Sequence, residues 1–265
     1  MKKRLAVQML TAEQYERLFG RLREASAPPG PDPVLRWYRS KGWKSFSGLE
    51  WMLEVAKAMG LDLSKFKDYT GRVVDDDDLY MYLRLNTDDF GHDDGRFSKA
   101  AAAVLKKAVG ESQFAYAGQG IAKVAFVDNA GHALKIGRCL DGEAVTREID
   151  INLRTQDLEC FPKLLAYAPD KTSYMCECAR ESRPEDFQRL FALPGAQDVA
   201  DLLHEPGAAE RFAADFEKTG ERKFKVLADL AKYASENMLE DLHEGNWGLT
   251  TRGGQEVLIV IDYDI

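Results

Sequence analysis

No stretch of about 18 consecutive apolar residues occurs in the 265 residues, so the sequence holds no candidate transmembrane helix. Cysteine is scarce, with Cys139, Cys160, Cys176 and Cys178 at irregular spacings. Cys176 and Cys178 form C-x-C rather than C-x-x-C and sit in an apolar segment. Neither a zinc site nor a disulfide framework is expected, and all four read as reduced thiols of a cytoplasmic protein. An excess of positive charge is also missing. The formal net charge of −8 argues against sequence-independent nucleic-acid binding through a basic surface. The opening MKKRLAVQML is basic, but its apolar run is too short before Thr11 and Glu13 for a signal peptide. Asp75 to Asp78 and the stretch DDFGHDDG (Asp88 to Gly95) are acidic without the order of a calcium loop, which alternates acids and needs a glycine and a glutamate at fixed places. They read as solvated acidic faces or as charge at a helix N-terminus.

What remains is an ordinary mixture, 45% hydrophobic and 30% charged, long enough for one large domain or two modest ones, each with a real core. The first hundred residues read as mostly helical. Thr11 and Gln14 form a capping-box pattern for a helix reaching Glu24, followed by the breaker segment APPGPDP, whose Pro33 suits the start of the next helix. Ser47 and Glu50 form a second capping box, with Leu49, Met52, Leu53, Ala56 and Met59 as the buried stripe and Gly60 as the stop. Ser98 is expected to cap an alanine-rich helix to Val109, closed by Gly110. A change of composition there divides a helical region, 1–110, from a second domain, 111–265.

The second domain opens as a sheet. Phe114 to Val127 reads as two short strands around Gly118 and Gly120, and His132 to Gly137 as a third. Glycines in a hairpin let backbone amides approach phosphates without a Cβ in the way. Lys135 interrupts an apolar strand, where a lysine is costly unless paired; the other reading is an edge-strand charge facing water. Glu143 to Leu153 is helical and carries the acids Glu143 and Glu148. Leu164 to Ala168 and Ser173 to Cys178 read as further strands, followed by helices at Ala196 to His204 and Glu221 to Met238.

The last twenty-five residues, DLHEGNWGLTTRGGQEVLIVIDYDI, organise the rest. Asp241 and Asn246 share the short loop DLHEGN. A strand, a turn at Gly253 and Gly254, and a second strand ending at Ile261 then fold Asp262 back beside them. A carboxylate to orient a hydroxyl and oxygen ligands for Mg²⁺ are what phosphoryl transfer needs.

This stretch resembles the catalytic loop and metal-binding aspartate of the protein-kinase-like superfamily, nearest to the aminoglycoside and small-molecule phosphotransferases. Their loop often reads Asp-Leu-His-Pro-Gly-Asn; here Glu244 stands for the proline, and Asp262-Tyr263-Asp264 for Asp-Phe-Gly or Asp-Phe-Asp. The resemblance covers 112–265 and implies an α+β, two-lobe fold: a small antiparallel sheet lobe (111–178), a reduced helical lobe (179–265), and an extra N-terminal helical region. It implies that Lys135 pairs with Glu148 and with ATP phosphates, and that Gly118 and Gly120 lie over those phosphates. It further implies that Glu177 and Cys178 form a hinge whose backbone meets adenine, that Asp241 is the catalytic aspartate, and that Asn246 and Asp262 hold Mg²⁺. Lys123 stands at the family's third glycine position. The sequence ends three residues after Asp262, so the helical first hundred residues are expected to pack on the second lobe, where later helices usually lie. The expected activity is transfer of the γ-phosphoryl of ATP to a hydroxyl of a protein or small molecule. A kinase-shaped scaffold without turnover, and AMP transfer by the same site, are the alternatives.

Overall fold

Alternation decides the faces of the first sheet. In the computed structural model, which describes residues 33–40, 48–64, 82, 96–109, 114–119, 123–128, 130–137, 142–237 and 242–261, helices α1 (Pro33–Arg39), α2 (Gly48–Ala58) and α3 (Arg96–Val109) precede strands β1 (Phe114–Gln119), β2 (Lys123–Asp128) and β3 (His132–Gly137). Helix α4 (Gly142–Arg154) and strands β4 (Leu164–Tyr167) and β5 (Ser173–Glu177) follow. All five strands pair antiparallel in the order β1-β2-β3-β5-β4. Because successive side chains in a strand point to opposite faces, Val124, Phe126, Leu134, Ile136 and Met175 share one face. They are buried in one core with Tyr38, Trp51, Val55, Ala56, Phe97, Ala101 and Leu105 of the three helices. Trp51 meets Phe97 edge-on, with ring centroids 6.4 Å apart. Tyr38 bonds Ser173 Oγ through its hydroxyl at 2.8 Å, and burial pushes its phenol pKa up.

The described helices α1, α2 and α3 therefore share a core with the first sheet, where the sequence had suggested packing on the second lobe. Of the stripe expected on α2, Ala56 is buried and Leu53 and Met59 are partly buried against the core, while Trp51 and Val55, outside that stripe, are its fully buried members; a stripe reports only that a face is buried, not against what. Helix α3 also begins at Arg96, so Ser98 lies inside its first turn and is not its cap. The proposed helix from Thr11, the acidic run Asp75 to Asp78, the DDFGHDDG stretch, Cys139, Gly120, Asp241 and Asp262 lie outside the described residues.

The chain divides into two compact units. The first holds the described residues up to Asp150 together with Leu164–Glu177, and the second holds Ile151–Lys163 and the chain from Cys178. The second unit contains a short strand β6 (Arg180–Glu181), helices α5 (Pro184–Phe191), α6 (Ala196–Leu203), α7 (Ala208–Thr219) and α8 (Arg222–Asn237), and strands β7 (Trp247–Arg252) and β8 (Gln255–Val260). Its sheet runs β6-β7-β8, all antiparallel. Gly253 and Gly254 both have positive φ, 57° and 81°, the requirement of the two-residue hairpin that joins strands without splaying them.

Trp247 anchors this unit: it is fully buried, with Phe187 and Phe191 edge-on to it at 5.4 and 6.2 Å. Strand β8 is covered on both faces, which suits the continuous apolar run Val257 to Ile261. Leu258 and Val260 enter the helical core, and Val257, Ile259 and Ile261 cluster with Ala179. The segment after α4 is held in the same unit by Arg252, which donates to the carbonyls of Glu159 and Phe161, both at 2.6 Å. At the start of α5, buried Asp186 accepts both guanidinium nitrogens of Arg180 at 2.7 Å and the Arg183 amide at 2.9 Å. Burial alone would raise its pKa, but the Arg180 and Arg183 hydrogen bonds outweigh that and hold it below the ordinary carboxylate value.

Gly248 on β7 is crowded by the chain at Ala179–Arg180 and by Ile261. A Cβ there would lie 2.6 Å from Ala179 Cβ, 3.1 Å from the Arg180 carbonyl oxygen and 3.2 Å from Ile261 Cγ2. The backbone carbonyl cannot yield as a flexible side-chain tip would. Gly248→Ala is expected to cost about 1–3 kcal/mol, the range for overpacking a well-packed site. Urea unfolding measures it, and an unchanged midpoint would show that β6 can move away freely.

Candidate functional site

The face of the first sheet opposite the helices carries its charge. Register places Lys135 opposite Ala125 on β2 and Tyr174 on β5, with Lys123 opposite Gly137. Lys123, Ala125, Lys135, Gly137 and Tyr174 therefore lie on one face. Strand β3 is interior to the sheet, which excludes an edge-strand lysine in water: the Lys135 side chain is only 12% exposed. The β2–β3 turn that sets this register is fixed by buried Asp128. Its carboxylate accepts the amides of Ala130 at 2.9 Å and His132 at 2.8 Å, and meets His132 Nδ1 at 2.8 Å.

Helix α4 brings the counter-charge. Val145, Glu148, Ile149 and Asn152 are buried on it at the i, i+3, i+4, i+7 spacing of one helical face. Glu148 is the acid in the stripe, with its side chain 4% exposed. Glu148 Oε1 is hydrogen-bonded by Lys123 Nζ and lies 3.6 Å from Lys135 Nζ, while Oε2 accepts the Tyr174 hydroxyl at 2.8 Å. Lys135 Nζ also stands 5.6 Å from the Tyr174 ring centroid, within cation–π range. The structure thus brings together Lys135 and Glu148, the pair singled out from the sequence. It adds Lys123 and Tyr174, which were not. The Glu143 side chain lies outside the described residues.

Gly118 is buried and sits at an irregularity of β1, where pairing with β2 skips from Tyr116 to Gly118. Glu177 ends β5, half-buried, and at buried Cys178 the chain returns to the second unit. Cys160, Cys176 and Cys178 are buried and form no disulfide among the described residues. Burial pushes the Cys160 and Cys176 thiols up to about 12 and about 11, as expected of inert structural cysteines.

In the second unit, the residues following Asp241 form a tightly bonded loop. The Trp247 indole donates to the Leu242 carbonyl at 3.1 Å, and the Gly245 amide donates to His243 Nδ1 at 3.0 Å. The Asn246 amide donates to the His243 carbonyl at 2.9 Å, and the Ile261 amide to the Asn246 carbonyl at 2.8 Å. A single 3₁₀ turn, Glu244–Asn246, results, with Asn246 buried. The bond between Ile261 and Asn246 ties the residue before Asp262 directly to Asn246. Among the described residues no group of three or more His, Cys, Asp or Glu side chains is gathered as a metal site, and no helix is long and apolar enough to cross a membrane.

No protein-family model and no curated protein matches the chain. Among solved structures, the chain is similar to a ternary complex of streptomycin, ATP and APH(2'')-IIa. It is 15% identical to that protein, with a TM-score of 0.32, over 60% of this chain and 67% of that one. A likeness at that identity and score assigns neither a family nor an activity.

Proposed function

We propose that this protein is a protein-kinase-like phosphotransferase that moves the γ-phosphoryl of ATP to a hydroxyl of a protein or small molecule. The observation that carries the reading is the buried pair of Lys135 and Glu148, held on an interior strand and a helix face. A lysine and a glutamate taken out of water cost several kcal/mol per ion unless something offsets it. A lysine on a third strand, paired with a helix glutamate, is how the superfamily presents an ammonium to nucleotide phosphates. In the second unit, the bonds of the Leu242–Asn246 loop and the tie to Ile261 support the same reading. They order the chain immediately after Asp241 and immediately before Asp262.

In this reading residues 111–178 hold the nucleotide: Lys135 neutralises phosphate charge, Glu148 orients Lys135, Gly118 and Gly120 let backbone amides approach, and the backbone at Glu177 and Cys178 meets adenine. Residues 179–265 handle transfer. Asp241 accepts the proton of the acceptor hydroxyl as its oxygen bonds to the γ-phosphorus, and the bond to the bridging oxygen breaks to release ADP. Asn246 and Asp262 offer a carboxamide and a carboxylate oxygen, a donor set that suits Mg²⁺, which takes one or two carboxylates alongside substrate phosphates. The ion, when bound, neutralises charge on the phosphate oxygens during transfer.

ATP at a hundredfold excess over Kd is expected to stabilise the protein by about 2.7 kcal/mol in the presence of Mg²⁺ and much less without it. Asp262→Ala should remove the metal-dependent part. Thermal melts with ATP, with and without Mg²⁺ or Mn²⁺, measure this; a shift that ignores the metal, or none at saturation, would move the reading to a scaffold. Intact-mass analysis of lysate proteins treated with the enzyme and ATP then separates an added phosphate from an added AMP.

A further inference from the structure

The Glu148 carboxylate is held by groups the phosphotransferase reading does not use. Its Oε1 is hydrogen-bonded by Lys123 and its Oε2 by Tyr174. Lys135, 3.6 Å from Oε1, is within ion-pair reach but beyond hydrogen-bond length. The register explains this sharing. Lys123 opens β2 opposite Gly137, two residues along β3 from Lys135, so both ammonium groups reach one helix residue from the same face. All three charged side chains are removed from water, at 9%, 12% and 4% exposed for Lys123, Lys135 and Glu148.

A buried carboxylate is costly to leave without a cation. Were Lys135 its sole cation, turning that ammonium toward a ligand would strand the charge. With Lys123 and Tyr174 in place, Glu148 keeps its hydrogen bonds whichever way Lys135 points. We infer that Lys123 is a positioning residue: together with Tyr174 it holds Glu148, so that Lys135 can direct its ammonium to the phosphates of a bound nucleotide. Lys123 itself does not touch the nucleotide. The inference rests on the phosphotransferase reading for the identity of the ligand.

Mg-ADP is the probe, titrated calorimetrically into the full chain. Lys123→Met is expected to weaken binding about tenfold, a coupling typical of groups in one network, because Glu148 then captures Lys135. Lys123→Arg should stay within about threefold of wild type, since it keeps a buried cation on Glu148. In the Glu148→Gln background, adding Lys123→Met should cost no further affinity, because no carboxylate remains to capture Lys135. If Lys123→Met does not fold, Glu148→Gln alone and the double variant are compared. Equal affinities support the inference, and a further loss in the double variant overturns it by putting Lys123 on the phosphate. Lys123→Met that lowers only the urea midpoint and leaves affinity unchanged also overturns it, reducing Lys123 to a structural role. Wild-type protein that binds no Mg-ADP overturns the phosphotransferase reading and this inference together, whereas binding by wild type with the wrong variant pattern overturns the inference alone.

Discussion

Asp241→Asn is expected to lower turnover by on the order of 10²–10⁴, the span of a general base or orienting carboxylate, while Mg-ATP binds within a few-fold of wild type. The asparagine keeps the size of the side chain and removes its charge and its capacity to take a proton. The loop that follows it, Leu242–Asn246, is ordered by bonds of its own. Leu242 is buried and its carbonyl is bonded by the Trp247 indole, and Asn246 is tied to both His243 and Ile261. Single-turnover measurements with nucleotide affinity determined in parallel separate the two effects. Activity surviving within a few-fold would remove Asp241 from this role, and loss of nucleotide binding along with turnover would point to a structural one.

The strands were legible because their local signals agree with their environment. Phe114 to Val127 and His132 to Gly137 alternate or run apolar between glycine and Asp-Asn turns, and the observed β1, β2 and β3 differ from that reading by a residue or so. Lys135 was legible because a lysine amid an apolar strand contradicts its surroundings, and such contradictions mark paired or functional sites. Lys123 carries no such contradiction. It is the first residue of β2, where a lysine looks like any solvated flank, and its partner is 25 residues away. A lysine occupying a position the resembling family fills with glycine was the only signal available. Helices α5 and α7 went unread for a related reason. Only Asp186, Phe187 and Phe191 are buried on α5, and only Ala208 and Phe212 on α7, too few positions to establish a helical period. Val257, Leu258, Ile259, Val260 and Ile261 form a continuous apolar run, the pattern of a strand covered on both faces, and all five are buried. What covers them cannot be read from that run, because the pattern of a strand carries no record of its neighbours.

Removing residues 1–110 is expected to abolish cooperative folding of the first unit. Helices α1, α2 and α3 are the described partners of a whole sheet face: Val124, Phe126, Leu134, Ile136 and Met175 are all fully buried in the core they share. Burying a large apolar side chain contributes about 1.5–3 kcal/mol, so this face alone accounts for on the order of 10 kcal/mol. That is comparable to the entire stability of an ordinary domain. The same face holds Ser173, whose hydroxyl is bonded to Tyr38, and β4 loses the Arg39 guanidinium that donates to the Leu165 carbonyl at 2.7 Å. A fragment of residues 111–265 should therefore bind hydrophobic dyes, lack near-ultraviolet circular dichroism from the sheet aromatics, and precipitate on concentration, as exposed patches of this size do. The charged face would be affected as well, since Lys123, Lys135 and Tyr174 lie on the same strands and keep their register on Glu148 only while the sheet is ordered. Mg-ATP should accordingly fail to stabilise the fragment. If it instead unfolds in one sharp urea transition and binds Mg-ATP as the full chain does, the sheet does not need these helices, and residues 1–110 are a separable module.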